Sequence, residues 1–182
     1  ETYKHNINGI NIVGYDRVWK STKEIPPESI DRPKVFISST KDLKQYRDAI
    51  EEVVTNKNFA PIRSETINSP VALEKCKELA RDCTYLVAIL GSRYGDEWEE
   101  KSICEHEFDA AYDEDPQKII VYILEGEIEK WDSKQKEFVK RVQNLDKLGY
   151  ARGDRVNPLN IKNRFDKDIV ERIAKLSKRH RE

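Results

Sequence analysis

Two runs of the chain, Tyr85 to Leu90 and Lys118 to Leu124, are apolar almost without interruption and are expected to be strands. A strand with one face in water alternates polar and apolar residues, so runs without alternation belong to strands covered on both faces. Such strands form the middle of a parallel sheet with helices on either side. The neighbouring segments supply those helices. Leu43, Tyr46, Ile50, Val53 and Val54 recur at helical spacing and predict a helix from about Lys41 to Asn56. Ser69-Pro70, an N-cap followed by proline at the first helical position, opens a helix with Leu73, Cys76, Leu79 and Ala80 inward. Ser102 opens a third helix to about Glu114. A fourth runs from about Ser133 to Leu148, with Phe138, Val139, Val142 and Leu145 inward. Asp166 is expected to cap a last helix carrying Ile169, Val170, Ile173 and Leu176.

Further strands are expected at Val35 to Ile37, at Phe59 to Arg63 and, weakly, near Asn160 to Arg164. Strand and helix then alternate, which requires right-handed crossovers and a mostly parallel sheet. The fold class is α/β, a flavodoxin-like three-layer sandwich of four to five strands with helices on both faces. With 37% hydrophobic and 37% charged residues, 182 residues suit one domain with a normal core. Residues 1 to 33 are polar and end in Pro26, Pro27 and Pro33, predicting an irregular extension or linker before a single domain from 34 to 182.

A net charge of -1 gives no global attraction for nucleic acid or an anionic membrane. No apolar run reaches membrane-spanning length, and the N-terminus lacks a signal-peptide pattern, so a cytoplasmic location is expected. Cys76, Cys83 and Cys104 have no paired spacing and read as reduced core thiols. The chain starts at Glu1 and contains no Met, as expected of a piece of a longer protein with further domains fused to it.

In the flavodoxin-like order, ligands bind where the first and third strands part. Two polar turns end those strands. After Val35-Phe36-Ile37 come Ser38, Ser39 and Thr40, then Lys41 and Asp42. Their hydroxyls either cap the following helix or hold an anion at its N-terminus. After Leu90 come Gly91, Ser92, Arg93, Tyr94 and Gly95, whose glycines let a ligand approach the backbone.

The helix from Ser102 supplies a candidate acid. Ser102-Ile103-Cys104-Glu105 is a capping box, which accounts for Glu105. Glu107 lies four residues after Ile103 and three and four before Ala110 and Ala111, on the apolar stripe. A carboxylate there is paired, protonated or used. It either reaches solvent or Arg93 at the stripe's edge, or works as an acid at the crevice. The stretch from Asp96 to Asp115 is strongly acidic with one lysine, Lys101, and would repel a pyrophosphate unless Arg93, Lys41 or a metal offsets it. Asp96, Glu97, Glu99 and Glu100 lack the glycine of cation-binding loops, so a solvated charge run is expected and no metal site. Cys104 and His106 point to different sides of their helix and make no nucleophile and base pair. The basic end, with Arg172, Lys175, Lys178, Arg179 and Arg181, complements a helix dipole.

Phe36-Ile37-Ser38-Ser39-Thr40 with Asp42-Leu43, Cys83 before Tyr85 to Gly95, and Ser102 with Glu105-His106-Glu107-Phe108 and Ala111 resemble an uncharacterised family. It is a domain of unknown function, DUF4062, often found ahead of NACHT-type signalling ATPases. The family is similar to Toll/interleukin-1 receptor (TIR) domains and nucleoside 2-deoxyribosyltransferases. The resemblance covers about residues 33 to 125, and the final helix more loosely. In enzymatic TIR domains a Trp-Cys pair precedes the catalytic Glu with two residues between them. Cys104 and Glu107 keep that spacing, with Ile103 in place of Trp.

The resemblance implies a signalling module that binds a nucleotide and cleaves an N-glycosidic bond, of NAD or of a nucleoside, with Glu107 at the sugar carbon. It implies a nucleotide site at Ser38, Ser39, Thr40, Gly91, Ser92, Arg93 and Tyr94, Tyr94 or Trp98 stacking on the base. Such chemistry requires no cofactor, NAD or another nucleotide being substrate or ligand. Self-association is the other implied property, and a non-enzymatic adaptor or a nucleotide sensor without turnover are the alternatives.

Overall fold

In a computed structural model, which describes residues 2–7, 10–15, 32–64, 69–145 and 155–179, the chain divides between Arg32 and Pro33 into two compact units. The first contains an antiparallel hairpin of β1 (Thr2–Ile7) and β2 (Ile10–Tyr15), with His5 opposite Ile12. Polar composition had predicted irregular chain here. The β-branched and aromatic residues on either side of Asn8-Gly9 are the hairpin signal that composition hides. Pro26 and Pro27 lie outside the described residues.

The second unit is built on five parallel strands. They are β3 (Lys34–Ser39), β4 (Ala60–Arg63), β5 (Tyr85–Leu90), β8 (Ile119–Leu124) and β9 (Arg155–Val156), with a small hairpin of β6 (Glu97–Trp98) and β7 (Lys101–Ser102) between β5 and β8. Their order across the sheet is β4-β3-β5-β8-β9, every pair parallel. Counted within the sheet this is 2-1-3-4-5, the flavodoxin-like order. Among the described residues four helices connect the strands, α1 (Lys44–Asn56), α2 (Pro70–Asp82), α3 (Ile103–Glu114) and α4 (Ser133–Gln143), and α5 (Ile161–Arg179) follows the last strand.

Because successive strand residues face opposite ways, the apolar runs feed two cores at once. Phe36, Leu86, Ala88 and Val121 pack with Ala80, Phe108 and Phe138 of α2, α3 and α4. Val35, Val87, Ile120 and Tyr122 pack with Ile50 of α1 and Phe165 of α5 on the other face. This is the three-layer sandwich the alternation predicts. The same alternation turns Ser38 toward the α3 layer and Ser39 toward the α1 layer.

The C-terminal region departs from expectation. The fifth strand is Arg155–Val156, and Asn160 to Arg164 lies in a 3-10 turn (Pro158–Asn160) and the start of α5. Ile161, Phe165 and Ile169, four apart and fully buried, carry the helical stripe back beyond Asp166. Asp166 is therefore inside the helix, paired with Lys57 at 2.7 Å, rather than a cap. Val170 is exposed and Arg172 buried, the reverse of the expected faces. Leu148 and the side chains of Lys175, Leu176, Lys178, Arg179 and Arg181 lie outside the described residues. Among the described residues no helix is long and apolar enough to cross a membrane.

Candidate functional site

Ser102 caps α3, its Oγ accepting from the Glu105 N–H at 3.2 Å. The other half of the box is absent. Glu105 instead accepts from the Tyr94 hydroxyl and from Arg141 Nη2, the latter at 2.8 Å, a charge-assisted bond that outcompetes a return to the cap. One half-turn on, Glu107 is 0% exposed. Its Oε2 accepts from Ser38 Oγ at 2.5 Å, and its Oε1, closed to solvent, makes no hydrogen bond.

Burial pushes the Glu107 carboxyl up to about 7, against smaller opposing pulls from the Ser38 and Ser64 hydroxyls and the Arg47 guanidinium. Arg93, the partner expected from sequence, is exposed, and Ser38 takes that place. The two neighbouring thiols stay protonated. Burial first, and then the nearness of Glu107, pushes Cys76 up to about 11 and Cys104 higher still, so neither is an activated nucleophile.

At the carboxyl ends of β3 and β4 lies a cleft of about 720 Å³, lined by the first residues of α3 but not by Glu107 itself. Its walls come from Ser39 and Thr40 after β3, Ser64 after β4, the turn from Arg93 to Asp96, and Ile103 and Cys104 at the start of α3. Ser39, Thr40, Arg93 and Tyr94 thus line it, while Ser38, Gly91 and Ser92 do not. Ser38 is spent on Glu107, and strand alternation keeps it apart from Ser39. None of the three hydroxyls caps a helix. Ser39 Oγ donates to the Thr40 carbonyl at 3.2 Å, and Thr40 Oγ1 is buried without a partner.

Tyr94 is 6% exposed, and burial, then the Glu105 carboxylate, raises its hydroxyl to about 12. Its ring is a wall packed into the core rather than a free platform. The glycines answer to packing. A Cβ on Gly91 would sit 3.1 Å from Leu43, and one on Gly95, whose φ is +89°, would sit 2.8 Å from the Thr40 methyl.

Three features escaped the sequence reading. The turn after β5 is pinned from α4: Asp132 Oδ2 accepts from the Tyr94 N–H at 2.9 Å, and Gln135 Nε2 donates to the Gly91 carbonyl at 2.9 Å. The acidic stretch is offset not only by Lys41 on Asp96 at 2.6 Å, as allowed for, and by its own Lys101 on Asp109 at 2.7 Å, but by two cations the sequence did not point to, Lys134 on Glu97 and Arg141 on Asp109 at 2.7 Å. Third, Arg47 lines the cleft, its Nη1 donating to the Ser39 and Thr40 carbonyls at 3.2 and 3.4 Å. Arg47 stands four residues after Leu43 and three before Ile50, so the stripe that singles out Glu107 on its helix would have singled out Arg47 on this one.

A family model described as a domain of unknown function, DUF4062, matches residues 34–172. No curated protein matches the chain. Among solved structures, the Clostridium botulinum CMP N-glycosidase BcmB aligns with 62% of this chain and 99% of its own, at 16% identity and a TM-score of 0.35. That degree of likeness bears on neither mechanism nor ligand.

Proposed function

The chain belongs to the DUF4062 family, and from that premise we propose that its cleft binds a nucleotide or nucleoside and cleaves the N-glycosidic bond at Glu107. The observation that carries the reading is a fully buried carboxyl with one oxygen unbonded, on the helix whose first residues, Ile103 and Cys104, line a cleft at the carboxyl ends of the strands. Structural carboxylates in such surroundings are normally paired with a cation or fully hydrogen-bonded.

In the proposed reaction the C–N bond to the base breaks and the base leaves with the bonding pair. The positive charge at the sugar carbon is met by the Glu107 carboxylate. It acts either as nucleophile, forming an ester that water then hydrolyses, or as counter-charge while water attacks directly. A carboxyl raised to about 7 is more basic, and so a better nucleophile once ionised, than an ordinary one. Ser38 holds its orientation. Self-association within a larger signalling protein would supply the movement that opens Cys104 and Ser64 over the carboxyl.

The closure of Glu107 favours a second reading, a sensor that binds without turnover. Wild type and Glu107→Gln are incubated with NAD and a panel of nucleosides and nucleotides, following free base by chromatography and binding by calorimetry. Base released by the wild type and lost in a folded variant supports the glycosidase. Binding without base moves the reading to the sensor, and neither binding nor release refutes both.

A further inference from the structure

Arg47 forms no ion pair with a carboxylate of the described residues, its charge reaching the buried Glu107 only through space. Among the described residues its bonds go to two backbone carbonyls through Nη1 alone, leaving Nη2 and the buried Nε without acceptors. Two of the other basic groups lining the cleft are spent. Lys41 is held by Asp96, and Arg63 by Asp48 at 2.8 Å and by Glu51, while Arg93 is exposed and screened by water. Beside Arg47, Thr40 Oγ1 is a second polar atom without a partner. A guanidinium with free donors, next to an unused hydroxyl on a cleft wall, matches a compact oxyanion with several acceptor oxygens.

We propose that Arg47, with Thr40, holds the single phosphoryl group of a nucleoside monophosphate, and that this is the ligand class of the cleft in preference to a dinucleotide. This rests on the nucleotide reading above. A second phosphate would fall toward the rim, where Asp42 and Asp96 stand and where Lys41 already has a carboxylate and Arg93 is exposed to water. Like charges within about 8 Å are poorly screened at physiological salt. The guanidinium is oriented in advance by its two carbonyl bonds, so little side-chain freedom is lost when the phosphate arrives.

The test is calorimetric titration of the whole chain with nucleoside 5′-monophosphates, the same nucleosides, NAD and inorganic phosphate, for wild type and Arg47→Gln. The monophosphate should bind about tenfold or more tightly than its nucleoside, the gain of a charge-assisted bond. Inorganic phosphate should compete with it, NAD should bind more weakly, and Arg47→Gln should collapse the monophosphate-to-nucleoside ratio toward one. Equal affinity for monophosphate and nucleoside overturns the proposal, as does a ratio that survives Arg47→Gln, tighter binding of NAD, or no binding at all. The wild-type ratio decides the matter if the variant does not fold. Base release from nucleosides with no phosphate preference would leave the glycosidase reading standing and this one refuted. A phosphate-dependent complex without base release would do the opposite.

Discussion

Replacing Glu107 by Gln should change how stability depends on pH more than it changes stability at any one pH. Glutamine keeps the shape and can still accept from Ser38, but it does not titrate. In the wild type the carboxyl rises from its ordinary value of 4.5 to about 7 on folding. Below pH 4.5 it is neutral in both states and costs nothing. Between the two values the unfolded chain gives up its proton first, so rising pH favours unfolding. Above pH 7 the folded form ionises too and the penalty is complete. At about 1.4 kcal/mol per pH unit, the gap amounts to about 3 kcal/mol.

Urea titrations of both proteins from pH 4 to pH 8 measure it, with other titrating groups cancelling in the difference. For a domain of this size, with a slope of about 2 kcal/mol per molar urea, the wild-type midpoint should fall about 1.5 M further than that of Glu107→Gln across the range. Parallel curves would refute the reasoning. They would mean that Glu107 ionises in the folded protein as it does in water, through an opening to solvent that contradicts its burial.

Three further outcomes follow from geometry. Thr40→Val removes a buried hydroxyl that has no partner, so thermal melting should show the variant equal to or up to about 1 kcal/mol more stable, and a clear loss would reveal a partner. Gly95→Ala places a Cβ at φ +89° and 2.8 Å from Thr40, so denaturation should show a loss of about 1–3 kcal/mol, and a neutral result would mean that the turn relaxes freely. Glu99 and Glu100, at φ 49° and 70°, close the β6–β7 hairpin in a turn that favours Asn-Gly. The double change to Asn-Gly should therefore raise the melting midpoint, corresponding to about 1 kcal/mol, unless the strained tip is held by contacts of its own.

The middle of the sheet was legible because strands covered on both faces advertise themselves as apolar runs, and parallel pairing follows from the alternation with helices, whereas the 2-1-3-4-5 order was the default for such a chain. The edge was not. Arg155–Val156 is too short to show a period, and the stripe starting at Ile161 was interrupted in the reading by taking Asp166 for a cap. At the site, Glu107 was legible because a charge on an apolar stripe stands out, yet its partner was not. Arg93 is nearer the crevice in sequence logic, whereas Ser38 reaches Glu107 through strand alternation and helix–sheet stacking, which no local pattern encodes. The three hydroxyls Ser38, Ser39 and Thr40 looked like one cluster on paper because adjacency in sequence was taken for adjacency in space. Arg47 needed only the test already applied to Glu107.

The split at the end of β3 has a consequence for the size of any ligand. Ser38 belongs to the layer of the carboxyl and Ser39 to the layer of the arginine, so the strand's carboxyl end is a ridge with one chemical group on each slope. A free phosphate ion can rest on one slope only. A molecule that engages Arg47 and also reaches Glu107 must lie astride the ridge, and its length is measured through the thickness of the sheet rather than along its face.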